Sequence, residues 1–223
     1  FAAIGQALYD RHVVFENSLP DRAHYFSQGS VVAPSRLELV GDRLPVDTAR
    51  FVSPPNALRL RWTSARGGDW RMTVRTAARY GRSFEFEGDT LAFQCFADSE
   101  ITEANAPRIQ LQDTTSVSAP SIALVRGRDR IPAGRWTEVR LPFSAFTMLF
   151  NGTDDTQFNP RRLASLTFTQ GLDDGQPHTL HIDDLRVMVA ASPPGSATLP
   201  APAELRVEGM DRPAADLELV GPA

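Results

Sequence analysis

The run Ala57-Leu58-Arg59-Leu60-Arg61-Trp62-Thr63, followed after Ser64-Ala65-Arg66 by Gly67-Gly68-Asp69-Trp70-Arg71-Met72-Thr73-Val74-Arg75, decides the fold. Leu58, Leu60 and Trp62 alternate with Arg59, Arg61 and Thr63; past the glycines, Trp70, Met72 and Val74 alternate with Arg71, Thr73 and Arg75. A period of two belongs to a half-buried strand, because successive side chains leave it on opposite faces. The same rhythm returns around Leu91, Phe93 and Cys95, and around Ile109 and Leu111. Further strands are expected over 136–141, 166–170 and 180–187. Turn chemistry separates these runs at Pro54-Pro55-Asn56, Gly67-Gly68-Asp69, Glu87-Gly88-Asp89, Pro132-Ala133-Gly134 and Asp173-Asp174-Gly175. Only residues 1–10 read as a short helix. Many strands at regular spacing, without crossover helices, predict an all-β sandwich of antiparallel sheets.

The composition fits one large β-domain with a buried core and a short appendage: 223 residues, 42% hydrophobic and 22% charged. Net charge is −4 and no basic stripe is present, which argues against nucleic-acid binding. No apolar run approaches the roughly 20 residues needed to span a membrane. All 23 basic residues are arginine; a genome that favours arginine codons accounts for this without a functional choice. Cys95, the single cysteine, has no partner for an intrachain disulfide and reads as a small buried apolar residue. Phe1 is not a natural translation start, so a processed or excised piece of a longer chain is expected. Residues 190–203 are rich in proline and alanine and read as an extended spacer. Beyond it, Glu204-Leu205-Arg206-Val207 and Asp216-Leu217-Glu218-Leu219 look like two short strands, too few to be stable alone.

Val14-Phe15-Glu16 near the start and Leu180-His181-Ile182-Asp183-Asp184-Leu185-Arg186-Val187 near the end resemble the opening and closing strands of galactose-binding-like jelly rolls, a fold that includes many carbohydrate-binding modules. Between them, Pro55-Asn56-Ala57-Leu58, Gly67-Gly68-Asp69-Trp70 and Gly134-Arg135-Trp136-Thr137-Glu138-Val139 are similar to an accessory domain of secreted bacterial glucoamylase-like, β-glucan-active glycosidases. Leu199-Pro200-Ala201-Pro202 with Leu205 to Val207 resembles the start of a fibronectin type III module, though the usual core tryptophan is lacking. The resemblance implies a jelly-roll domain over 1–190, a Pro-rich linker over 191–203 and a partial fibronectin type III-like segment over 204–223. It further implies a secreted or periplasmic bacterial protein, a catalytic domain in the same polypeptide as partner, and a glycan, a glucan among the candidates, as ligand.

In such folds calcium often clips the first and last strands together. The resemblance places Glu16 and Asp183 as its ligands, with Asp184 and the amide of Asn56 as further oxygens. Parity adds an independent expectation: on a regular strand Asp183 shares the core-facing side of Leu185 and Val187, where a carboxylate needs a partner. An ion pair with an arginine is the alternative to a cation. For sugar binding, the polar parity supplies Arg59, Arg61, Arg71, Arg75, Gln94, Gln110 and Gln112, with Trp70 and Tyr80 at the turn-rich edges as aromatic platforms. The competing reading is a solvated face, since any sandwich strand alternates polar outward and apolar inward. Trp62 and Trp136 read as core.

Catalysis has less support. A glycosidase needs two carboxylates across one cleft, and Glu85, Glu87, Asp154-Asp155 and Asp173-Asp174 sit in turn sequences. His12, His24, His178 and His181 are scattered, with His178 and His181 on opposite faces of one strand. No HExxH motif, Cys/His cluster or phosphate loop occurs. The sequence therefore points to a non-catalytic carbohydrate-binding module carrying structural calcium, or to a purely structural accessory domain packed on a glycosidase.

Overall fold

The computed structural model describes residues 11–18, 23–76, 85–146 and 157–190. The helix expected over 1–10, Tyr80, Asp154-Asp155, the Pro-rich linker and the fibronectin-like segment lie outside them. Twelve strands fill the described residues: β1 (Val13–Phe15), β2 (Ser27–Val32), β3 (Arg36–Leu37), β4 (Val46–Asp47), β5 (Ala57–Thr63), β6 (Asp69–Arg75), β7 (Thr90–Ala97), β8 (Arg108–Asp113), β9 (Ile122–Ala123), β10 (Trp136–Pro142), β11 (Leu163–Thr169) and β12 (Pro177–Met188). They form two sheets in which every strand pairing is antiparallel. The seven-stranded sheet runs β10-β7-β12-β5-β3, with β1 also on β12 and β4 also on β5; the five-stranded sheet runs β2-β6-β11-β8-β9. This is the β-sandwich that the alternation predicts.

The deciding stretch spans the sandwich. β5 belongs to one sheet and β6 to the other, so their apolar sides face each other across the core. Leu58, Leu60, Trp62, Trp70, Met72 and Val74 are all at most 2% exposed. The Trp62 and Trp70 rings meet at 5.7 Å, and Trp70 donates its indole N–H to Ser64 Oγ at 3.1 Å, which satisfies the polar end of a buried ring. His178 lies on the core side against Trp62, whereas His181 is outward, as their spacing predicts. Cys95 is fully buried, and burial pushes its thiol pKa far up, leaving an inert apolar filler.

One parity expectation fails. His181, Ile182 and Asp183 pair with Phe96, Cys95 and Gln94, but the next pair is Arg186 with Ala92, so two residues of β12 oppose Phe93 alone. This is a β-bulge, and Asp184 adopts a φ of 48° in it. Side-chain parity inverts across the extra residue. Asp183 therefore shares the outer face of His181 and Gln94, while Leu185 and Val187 face the core. Asp183 is nonetheless fully buried, because the 52–53 loop covers it.

Candidate functional site

The outer face of the five-stranded sheet is polar across β6, β11 and β8, and the strand register defines its rows. Ser30, Arg71, Thr169 and Arg108 make one row; Gln28, Thr73, Thr167 and Gln110 the next; Arg75, Ser165 and Gln112 a third. Adjacent strands lie about 4.8 Å apart, so each row sets polar groups in a regular series across the strands. Thr73 and Thr167 join hydroxyl to hydroxyl at 2.9 Å in the middle of the face. Arg75 reaches Gln28 Oε1 at 3.3 Å. Gln110 donates to the Ala119 carbonyl at 3.1 Å, and Gln112 to the Ser116 carbonyl at 3.3 Å. Arg71 is exposed, with only a 3.9 Å approach to Asp69.

Of the residues expected to read sugar, Arg71, Arg75, Gln110 and Gln112 thus come together, while Arg59 and Arg61 lie on β5 in the opposite sheet. Trp70 does not join them. It is 1% exposed and belongs to the core with Met72 and Val74, so it offers no platform. Gln94 does not join them either. It sits on β7 in the opposite sheet, between Glu138 and Asp183. The threonines of β11 were missed, although Thr167 and Thr169 alternate with Leu166 and Phe168 by the same rule that found β5 and β6. No outward residue of β6, β8 or β11 is aromatic.

The outer face of the seven-stranded sheet is different. Trp136, Phe96, His181 and Arg59 form a row across β10, β7, β12 and β5. The Arg50 guanidinium stacks 4.2 Å over Phe96 and pairs with Asp98 at 2.6 Å. His181 Nε2 meets Asp47 at 2.9 Å, and Arg59 pairs with Glu38 at 2.7 Å. Burial opposes ionisation of Asp47, but the Ala49 N–H and His181 outweigh it and hold its carboxyl below the usual range. Trp136 is half-buried on this face, edge-on to Phe96, and not in the core.

The four expected calcium ligands gather around the bulge in part. Asp183 Oδ2 accepts the Val52 and Ser53 N–H groups at 2.6 and 2.8 Å, and its Oδ1 accepts the Asp184 N–H at 2.7 Å. Ser53 Oγ donates to Glu16 Oε1 at 3.3 Å. Asp184 pairs with Arg186 at 3.1 Å. Burial, with Asp183, Glu16 and Glu138 adding like charge, pushes the Asp184 carboxyl up to about 6 against the pull of Arg186. Burial raises Asp183 as well, against three N–H donors. Asn56 departs from the expectation. Its Oδ1 accepts the Ser18 N–H at 2.9 Å and its Nδ2 donates to the Ser18 carbonyl at 2.8 Å, so the amide closes a backbone loop. Among the described residues, no three His, Cys, Asp or Glu side chains converge closely enough to hold a metal unaided.

Three of the carboxylates weighed for hydrolysis have local partners, and Glu85 is exposed at the start of the 85–89 segment. Glu87 pairs with Arg11, Asp173 accepts from Gln170, and Asp174 meets His178 at 2.6 Å.

The fold is that of the carbohydrate-binding-module β-sandwiches. The chain aligns with the family 30 carbohydrate-binding module of a Clostridium thermocellum cellulosomal cellulase at a TM-score of 0.53 and 18% identity, covering 81% of this chain and 99% of that one. A nearer likeness is the crystal structure of a β-1,2-glucanase from Parabacteroides distasonis: TM-score 0.69 and 29% identity over 80% of this chain and 25% of that one. In sequence, the chain is 30% identical over 189 residues to an exo β-1,2-glucooligosaccharide sophorohydrolase of Parabacteroides distasonis. That match takes in 85% of this chain and 26% of the relative, so the chain spans about a quarter of the relative's length. No family model matches. Among the described residues, no helix is long and apolar enough to cross a membrane.

Proposed function

We propose that this chain is a non-catalytic carbohydrate-binding module of a secreted or periplasmic bacterial polysaccharide-degrading enzyme, and that its ligand is a β-linked glucan. The observation that carries the reading is the polar outer face of the five-stranded sheet. Arg71, Arg75 and Arg108 offer planar guanidinium forks, and Gln110, Gln112, Thr73, Thr167 and Thr169 offer mixed donors and acceptors on a rigid support. A sugar needs few but well-placed polar contacts of this kind. The relative named for β-1,2-gluco-oligosaccharides supports the ligand class, and the three quarters of it that the match leaves uncovered support a catalytic domain as partner. Retention of the chain by glucan gels, weakened in Arg71→Ala, tests the proposal.

A second reading, a structural accessory domain with no ligand of its own, draws on the other sheet. Trp136, Phe96 and the ion pairs around Arg50 and Arg59 give that face the mixed aromatic and guanidinium character of a protein interface. Unchanged migration in every glucan gel would favour it.

We also propose a structural calcium at the β12 bulge, held by Glu16, Asp183 and Asp184. Asp184 is half-buried beside Arg186, with Asp183 and Glu16 adding like charge to it, and carboxylate oxygens are the hard donors this cation selects. Asn56 does not fit the set, and backbone carbonyls or water would complete the shell. The ion would clip β1 to β12 and neutralise charge that the fold otherwise buries.

A further inference from the structure

A cleft of about 720 Å³ opens at the free edge of β2, between residues 23–26 and the hairpin 40–43. Its size lies in the roughly 300–1,000 Å³ range of small-ligand sites. The sequence builds it from two ends. Val40 and Arg43 close the hairpin with reciprocal backbone bonds of 3.0 and 3.2 Å, around Gly41 at a φ of 67°. Gly29 lets that hairpin lie close to β2: a Cβ there would stand 2.6 Å from Leu39 and Met72. The Gly29 N–H then donates to the Asp42 carbonyl at 2.6 Å.

The cleft holds the features that the sheet face lacks. Tyr25 is 65% and Phe26 40% exposed, and their rings meet edge to face at 5.2 Å. Arg43 lays its guanidinium 4.5 Å over Tyr25 and stands 4.0 Å from Asp42. His24 lines the floor at 6% exposure. Its Nδ1 meets Ser18 Oγ at 3.2 Å, while its Nε2 is buried with no hydrogen-bond partner among the described residues. Burial lowers the His24 pKa to about 4, so the ring is neutral near pH 7. Asp42 and Arg43 cancel, and the cleft therefore favours a neutral, polyhydroxylated molecule over an anion or a cation.

We infer that this cleft is a second glycan site, separate from the sheet face, in which a glucosyl unit stacks on Tyr25 beside the Phe26 edge and is hydrogen-bonded by Asp42 and Arg43. The class of ligand rests on the carbohydrate-binding reading; the place does not. Together the two sites would engage one long glucan chain at two points and raise its retention by avidity.

The test is affinity electrophoresis of the whole chain in gels containing β-1,2-glucan, with Tyr25→Ala, Arg43→Gln and, for the sheet face, Arg71→Ala. All three side chains project from the surface, so the melting temperature should hold in each variant. Tyr25→Ala and Arg43→Gln should each weaken retention about fivefold or more, the loss of one stacked contact. Combined with Arg71→Ala, either should abolish it. Retention that both cleft variants leave at the wild-type level would overturn the cleft and leave the module reading standing. Loss in the cleft variants alone would keep the cleft and move the glycan off the sheet face. A wild-type chain that no β-1,2-glucan gel retards would sink both.

Discussion

Thr73 and Thr167 face each other across β6 and β11 with their hydroxyls 2.9 Å apart, midway between Gln28 and Gln110 in one row. That pair fixes the centre of the polar face and ties its two halves together. On either side stand the rows of Arg71 and Arg75, so a ligand lying across the strands would meet hydroxyl, amide and guanidinium groups in turn.

The side chains of that face should separate binding from stability. Gln110→Ala removes an amide whose one protein contact is the Ala119 carbonyl. Glycan retention should fall strongly while stability drops by about 1 kcal/mol, the worth of one part-buried hydrogen bond. Equal loss of both would mean that Gln110 is a hairpin brace and not a ligand contact.

Trp70 should behave in the opposite way. Trp70→Ala opens a cavity between the sheets and strands the Ser64 hydroxyl, at a cost of about 3–5 kcal/mol. A urea titration reads this directly. A variant of wild-type stability that no longer binds glycan would contradict the core position.

The His24 pKa sets a pH dependence with a definite sign. The folded state holds the ring neutral down to about pH 4, whereas the unfolded chain protonates near 6.5. The unfolded state therefore binds more protons between these values. Stability contributed by neutral His24 is complete above about pH 6.5 and is lost as pH falls toward 4, by up to about 3 kcal/mol. Asp183 and Asp184, raised by burial, titrate with the opposite sign in the same window. The difference between wild type and His24→Gln is thus the readout, and it should shrink as the pH is lowered. A difference that stays constant from pH 7 to 4.5 would contradict a buried, neutral His24.

Chelation tests the bulge. If calcium bridges Glu16, Asp183 and Asp184, full removal should lower the melting temperature by several degrees, since an ion at 100 times its Kd adds about 2.7 kcal/mol. The triple change to Glu16→Gln, Asp183→Asn and Asp184→Asn should abolish the response. A melt indifferent to chelator removes the ion from the account.

Much of the fold was legible because alternation reports directly on strands: β5 and β6 could be read residue by residue, and so could the side of each that is buried. Trp70 belonged with Met72 and Val74 by that same rhythm, and its assignment as a platform ran against it. What alternation does not carry is which sheet a strand joins, so Gln94 was grouped with Gln110 and Gln112 although β7 and β8 lie on opposite sides of the core. Nor does Ile182-Asp183-Asp184-Leu185 carry a signal for its bulge. The extra residue is accommodated by Asp184 itself, without a glycine, and parity counted straight through it lands on the wrong face. The edge cleft was beyond sequence for a related reason. Tyr25 and Arg43 meet only because Gly29 lets a distant hairpin settle on β2.

The central claim is glucan binding by the five-stranded sheet, and affinity electrophoresis through gels of β-linked and α-linked glucans, with and without calcium, tests it most directly. The account predicts retardation by a β-linked glucan that Arg71→Ala with Gln110→Ala removes while the melt stays within a few degrees of wild type. Unretarded migration in every gel would contradict it and leave the chain as a scaffold for its catalytic neighbour.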